Sequence, residues 1–288
     1  MRLARALVIV PYLVLATLPL GWLALTSFKS YEDTITAHAK FVPGTEAGGA
    51  RAEGSVKFTA TVDAYRKLSQ PVAGTSRGFY HYLGNSVVIG LLSTLAAVCL
   101  ATLCAYGFSR FRIPGTKDWL FFVLSTRFLP PLAVVVPVLI MYRRFGLENT
   151  HLGLILLYTS FNLSLAVWLM KGFIDEIPIE YEEAALVDGY TRMQAFFKIV
   201  LPQAATGIAA TAVFCFITAW NEYAFALMMT NSKAQTAPPY IPSQLGSGVT
   251  DWTVIAGGTF LFLVPVAVFT FLLRKHLLRG VTFGAIRK

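Results

Sequence analysis

Ionisable side chains are scarce in this sequence. Only 14% of its 288 residues are charged while 56% are hydrophobic, and the mean hydropathy is +0.61; a soluble globular chain carries about 25% charged residues. A soluble globule is excluded and a polytopic membrane protein is implied. Acid is the scarcer sign, 15 residues against 24 basic ones, for a net charge of +9. That excess does not point to nucleic acid. The basic residues are scattered at the ends of apolar runs, and no basic patch is interleaved with aromatics as in single-strand binders. Cysteine is nearly absent. Cys99, Cys104 and Cys215 all lie inside apolar runs, which excludes an extracytoplasmic disulfide framework and metal-ligand spacing. His38, His81, His151 and His276 are dispersed in or beside predicted loops, so no metal site is expected. The sequence also lacks any Gly-x-x-x-x-Gly-Lys-Ser/Thr stretch, and no glycine is followed directly by lysine. Without that phosphate cradle the chain is not itself an ATPase, and energy for any work comes from another chain or from an ion gradient.

What the sequence has in abundance is apolar runs long enough to cross a membrane. Arg2 and Arg5 precede the first, from Ala6 to Phe28. A cleavable leader is the competing reading, but Trp22-Leu23-Ala24-Leu25 supplies a poor cleavage site, so an uncleaved span over 1–28 is expected. Residues 29–83 turn polar, with Pro43, Gly48-Gly49, Gly54 and Pro71 as turn signals, and read as an extracytoplasmic loop or small cap. Five further spans are predicted at Ser86–Phe108, Trp119–Tyr142, Leu152–Met170, Ala204–Thr230 and Val254–Leu273, forming a five-span core over 84–288. Arg110, Arg112 and Lys117, then Lys171, Arg192 and Lys198, then Arg274, Lys275, Arg279, Arg287 and Lys288 fall on the side of Arg2 and Arg5. Their bias places both termini in the cytoplasm, with Arg143 and Arg144 dissenting.

Between the fourth and fifth spans lies a polar island, Glu180-Tyr181-Glu182-Glu183-Ala184-Ala185-Leu186-Val187-Asp188-Gly189, within a loop over 171–203. Pro178 suits the start of a helix, and Glu180, Glu182 and Glu183 put negative charge where the helix dipole is positive. Gly189 ends that helix, Thr191 and Gln194 have capping-box spacing for a second, and Pro202 closes it. The result is a helix-turn-helix knob on which Tyr181, Ala184, Ala185 and Asp188 share a face by helical spacing.

Glu183-Ala184-Ala185, Asp188-Gly189, Ile199 and Leu201-Pro202 resemble the EAA signature of the membrane-spanning permeases of bacterial ABC importers. Asn85-Ser86, Leu129-Pro130-Pro131, Asn162-Leu163 before Trp168-Leu169, and Trp220-Asn221-Glu222-Tyr223 extend the pattern, which is similar to the maltose-type, carbohydrate-uptake branch over about Ser86 to Thr230. The resemblance implies an all-α polytopic membrane protein of the bacterial inner membrane, with six transmembrane helices and a cytoplasmic coupling-helix knob. It implies a homologous second permease, two nucleotide-binding ATPase subunits that use ATP and Mg, and an extracytoplasmic sugar-binding protein as partners. The chain would bind no cofactor and perform no covalent chemistry. Its implied cargo is a sugar or polyol, such as an oligosaccharide, an α-glucoside or a sugar alcohol. Coupling to the ATPase would fall to Glu183, Ala184, Ala185, Asp188, Gly189, Leu201 and Pro202, with Glu183 contacting the partner or bracing the knob. The sequence departs from the family at Thr206-Gly207, where a second proline often follows, and that bears on the bend leading into the fifth span. The outer loop Thr236–Gly248 resembles the family's region that meets the solute-binding protein.

Arg127 and Glu222 are the ionisable residues inside apolar runs, and such residues are functional candidates because an unpaired charge at that depth is costly. At 1.5 Å per residue their depths differ by about 15 Å, beyond direct pairing. Pro130, Pro131 and Pro137 break the third span, and freed backbone carbonyls at membrane depth are tolerated where they line a cavity or are buried in protein. Arg127, Pro130, Asn162, Trp220, Asn221, Glu222 and Tyr223 are therefore candidates for a substrate pathway. Asn162, Ser164 and Asn221 can hydrogen-bond sugar hydroxyls, while Tyr158, Trp168, Trp220 and Tyr223 can stack on sugar faces. Helix contacts and interfacial aromatics account for the same residues without a ligand. An ion-coupled secondary transporter would use Arg127 and Glu222 as a coupling pair but leaves the knob unexplained. An integral membrane enzyme would need a nucleophile, metal set or carboxylate pair that the sequence does not supply.

Overall fold

The computed structural model describes residues 2–44, 56–71, 77–245 and 250–283. Gly48, Gly49, Gly54, Gly248, Arg287 and Lys288 of the sequence reading lie outside these residues. The described chain is mostly helical, with almost no strand. In order it forms α1 (Arg2–Ser27), α2 (Tyr31–Thr34), β1 (Val42–Pro43), β2 (Lys57–Phe58), α3 (Asp63–Lys67), α4 (Phe79–Arg110), α5 (Thr116–Ser125), α6 (Pro131–Arg144), α7 (His151–Asp175), α8 (Glu180–Val187), α9 (Arg192–Ala195), α10 (Leu201–Gln203), α11 (Ala205–Trp220), α12 (Ala224–Met229), α13 (Ala237–Ser243) and α14 (Trp252–Phe283). Four helices are long and apolar enough to cross a membrane on their own, and two bent pairs bring the number of spans up to six. The expected six-span plan is thus met, but only if two of the spans are broken.

The first break is α5 and α6, which meet at 92° where a single span was expected over Trp119–Tyr142. Pro130 and Pro131 cause it: Leu129 and Pro130 are extended, as residues preceding proline must be, and Pro131 restarts the helix at its first position. The second break corrects the predicted span Ala204–Thr230. The segment Arg192–Gln203 meets α11 at 72°, and α11 stops at Trp220, with α12 following only after Asn221–Tyr223.

The chain divides into two compact units, 1–84 with 236–265 and 85–235 with 266–288. In the first, α1 is exposed along most of its length, as a lipid-facing apolar helix is. The segment after it is a small cap: β1 pairs in parallel with β2, Lys29 bridges to Ala60, and Asp33 makes a buried ion pair with Lys40. Leu68, Phe79, Tyr82, Ala237, Tyr240 and Val254 form its core, in which the rings of Tyr82 and Tyr240 stack at 4.8 Å. In the second unit α7 packs lengthwise on α11. One core lies around Ala97, Ala101, Ala166, Met170, Ile174 and Phe196, and another around Ile89, Leu154, Tyr158, Phe225 and Met229. Thr150 caps α7 by accepting from the Gly153 N–H at 3.0 Å, and the preceding turn needs left-handed backbone at Gly146 and Asn149.

Candidate functional site

The knob is built as its local chemistry requires. Three acidic residues occupy the first turn of α8, and Gly189 leaves it at φ +87°, a conformation that suits glycine. Thr191 and Gln194 close a capping box on α9: the Gln194 N–H donates to Thr191 Oγ1 at 3.3 Å, and the Thr191 N–H donates to Gln194 Oε1 at 2.8 Å. The chain then widens into a π-type turn over Phe196–Val200 before Leu201 and Pro202 lead to the 72° bend.

What fixes the knob to the membrane helices is Glu182. It is buried and paired with the equally buried Arg110, whose Nε donates to Glu182 Oε1. Tyr106 donates its hydroxyl to Glu182 Oε2 at 2.9 Å, and Arg110 Nη2 donates to the carbonyls of Ile177 at 2.8 Å and Ile174 at 3.2 Å. The ring of Tyr106 lies 4.7 Å from that of Phe196. One guanidinium thereby ties the last turn of α4 to the end of α7 and to α8, with its charge and three of its donors matched, as a buried ion pair requires. Bracing falls to Glu182, while Glu183 is exposed. The shared face expected for Tyr181, Ala184, Ala185 and Asp188 is split: Ala185 is buried within the chain, whereas Tyr181, Ala184 and Asp188 face outwards. With Ile179, Val187 and Met193, Tyr181 and Ala184 give the knob an exposed apolar crest, on which Val187 is 87% exposed, and the charged Asp188 is exposed beside it.

Three of the predicted pathway residues, Arg127, Asn162 and Glu222, are organised around the middle of α7. Arg127 Nη1 donates to the Phe161 carbonyl at 3.2 Å, beside the break at Pro130. Asn162 is buried and donates Nδ2 to the Cys215 carbonyl at 3.1 Å, so its amide staples α7 to α11. Glu222 accepts from the N–H groups of Phe225 at 2.9 Å and Ala226 at 3.1 Å, and from the Tyr158 hydroxyl at 2.8 Å. Its carboxylate, from the residue before the Tyr223 N-cap, caps the first turn of α12 and is held against α7 by Tyr158. Among the described residues Arg127 and Glu222 form no ion pair with each other. Trp220 is buried against Phe216, with ring centroids 5.3 Å apart. Asn221 donates back to the Ile217 carbonyl at 2.8 Å, and Tyr223 is exposed.

Residues 97–283 match the family described as the binding-protein-dependent transport system inner membrane component. The chain belongs to this family. Among relatives of this permease, the trehalose transport system permease protein SugB of Mycobacterium tuberculosis is 36% identical over 237 residues, 81% of this chain and 84% of that one. The trehalose/maltose transport system permease protein MalG of Thermococcus litoralis is 31% identical over 235 residues, 81% and 83% of the two chains. A solved bacterial ABC transporter involved in the import of the acidic polysaccharide alginate superposes with a TM-score of 0.74 at 18% identity, covering 96% of this chain and 95% of that one. The MetNI methionine ABC transporter superposes at 0.55 with 20% identity, covering 70% and 94%. The same fold thus serves solutes as different as a polysaccharide and an amino acid, and the fold alone does not set the cargo of this permease.

Sequence reasoning missed the Arg110–Glu182 latch. Three glutamates within four positions read as partners of the helix dipole. Yet Glu182 lies three residues before Ala185, so both fall on one face of α8, and Arg110 is the first basic residue after the second span.

Proposed function

We propose that this permease is the membrane subunit of an ATP-driven importer for a sugar or polyol, such as an oligosaccharide, an α-glucoside or a sugar alcohol. It would work with a homologous permease, two ATPase subunits that bind ATP and Mg, and an extracytoplasmic binding protein. Both termini and the knob lie on the cytoplasmic side, as the basic-residue bias supports. Alternating access follows from a rigid knob moved by the closing ATPase dimer, because packed interfaces switch between discrete arrangements instead of stretching. The observation that carries the coupling role is the apolar crest of the knob on a base fixed by the Arg110–Glu182 pair. The sugar class is supported by trehalose and maltose permeases that align over four-fifths of the chain. An ion-coupled mechanism gains no support, since Arg127 and Glu222 each take other partners.

The test is to purify the tagged chain from its host in mild detergent, identify co-purifying subunits, and assay ATP hydrolysis with the binding protein and trehalose, maltose or a sugar alcohol. A P-loop ATPase should accompany the chain and be lost on Gly189→Asp, and one of these solutes should stimulate hydrolysis. A chain that purifies alone and moves solute down an ion gradient would overturn the reading.

A further inference from the structure

Within the first unit a cavity of about 550 Å³ opens between the end of α1, the cap and the first turn of α14. Its chemistry is divided. Pro19, Leu23, Ile255 and Ala256 give it an apolar floor, continuous with the exposed apolar side of α1 at Leu15 and Leu18. Trp22 and Trp252, both substantially exposed, stand at the ends of the two spans Ile9–Ser27 and Trp252–Lys275, where tryptophan marks the membrane boundary. Above that level the wall is cationic.

Lys29 is 3% exposed and lines this cavity. Its ammonium sits 3.9 Å from the centre of the Trp22 ring and 5.5 Å from that of Phe58. Among the described residues no carboxylate or carbonyl accepts a hydrogen bond from it. Thr26 Oγ1, also in the lining, is buried without a partner. The nearby carboxylate, Asp33, is already engaged: it takes Lys40 Nζ at 2.7 Å, Ser30 Oγ at 2.8 Å and the Thr59 N–H at 2.8 Å. Among the described lining residues, Lys29, Lys40 and Asp33 leave one net positive charge, with His38 the remaining titratable group. Burial lowers the Lys29 pKa from its ordinary value; Asp33 raises it in part and Lys40 lowers it further. A ring face stabilises an ammonium but takes none of its N–H donors, so the group retains the capacity to bind an anion.

We propose that this cavity holds the phosphodiester headgroup of an anionic phospholipid, hydrogen-bonded by Lys29 and Thr26, with its acyl chains along the apolar faces of α1 and α14. A phosphodiester carries the single negative charge that the cationic wall lacks. The apolar floor and the tryptophan rim suit a molecule with a charged head and hydrocarbon tails, and a soluble anion would leave them unused. The lipid would join the cap to the first and last spans, fixing the cap to the membrane surface.

The assembled importer, purified in mild detergent, would be examined by native mass spectrometry after addition of phosphatidylglycerol, phosphatidylcholine or sodium phosphate. Wild type and Lys29→Arg should retain phosphatidylglycerol over phosphatidylcholine, and Lys29→Met should lower that retention by about tenfold, as expected for loss of a charge-assisted contact. Thermal unfolding of the wild type provides an independent readout should Lys29→Met fail to assemble: phosphatidylglycerol should raise the Tm and phosphatidylcholine should not. Equal retention of the two lipids, unchanged retention in Lys29→Met, or binding of sodium phosphate with no lipid retained would each overturn the lipid site. Lipid retention is read without any sugar, so its failure leaves the transport reading untouched.

Discussion

A single carbon at position 207 decides how closely two spans can approach. Gly207 faces Phe173 so tightly that a Cβ there would lie 2.3 Å from the ring's Cγ and 2.6 Å from its Cβ, where no side chain can fit without displacing α7 from α11. Gly207→Ala should therefore destabilise the permease by about 1–3 kcal/mol, the usual cost of overpacking, and Phe173→Ala in the same chain should recover only part of it, because the ring clash is removed while the Phe173 Cβ, 2.6 Å away, remains. Thermal unfolding of the two variants decides the matter, and a Gly207→Ala protein with wild-type Tm would show that the helices are not in van der Waals contact here. Residues with local roles were legible in the sequence. The positive φ at Gly189 and the capping box of Thr191 and Gln194 involve neighbours a few positions away. Gly207 was read only as a missing proline, and Asn162 as a possible sugar ligand, because the partner of each is on another helix: the Phe173 ring in one case, the Cys215 carbonyl in the other. A polar side chain in an apolar run looks the same in the sequence whether it faces a solute or another helix's backbone.

At the scale of elements, the break at Pro130-Pro131 could be read directly because proline removes the donor that the helix needs. The break at Asn221–Tyr223 has no proline or glycine. It is held open by Glu222, which satisfies two N–H groups of α12 that would otherwise lack acceptors, and only the structure reveals that the carboxylate is a cap. The polar stretch after α1 folds around a buried charge. Burial raises the pKa of Asp33, but hydrogen bonds from Lys40, Thr59 and Ser30 outweigh it and hold the carboxyl below its ordinary value. Since the folded pKa lies below the unfolded one, the stabilisation is present above about pH 4 and is lost as pH falls through the lowered folded value. Hydrogen exchange, corrected for intrinsic rates, should show amides of residues 31–44 and 56–68 losing protection on acidification in the wild type. Asp251, held low mainly by Lys67 against the effect of burial, contributes in the same direction, so the informative quantity is the difference from Asp33→Asn. That variant should be less protected at neutral pH and respond less to acid. Identical pH profiles for the two proteins would remove Asp33 as the source.

For the whole molecule, the question is whether the latch at the base of the knob transmits motion or only holds the fold together. Removing one member of a buried ion pair costs about 3–5 kcal/mol because the other charge is left unpaired, whereas replacing both by apolar residues is often neutral. Glu182→Ala strands Arg110, so both stability and transport should fall. The double substitution Arg110→Met with Glu182→Met should restore most of the stability, since methionine fills the space without a charge, yet it removes the guanidinium that joins α4 to the carbonyls of Ile174 and Ile177. If that junction carries the ATPase stroke into the spans, the double variant should assemble and hydrolyse ATP while importing several-fold less solute per ATP, a ratio that a purely structural role would not alter. Glu180→Ala, exposed on the same helix, is the control for loss of acidic charge alone. Recovery of the solute-to-ATP ratio together with the Tm in the double variant would reduce the pair to a structural brace. Motion would then have to pass through the apolar packing of Phe196 and Val200 against α4 and α7, a core that the sequence shows only as an apolar run before Pro202.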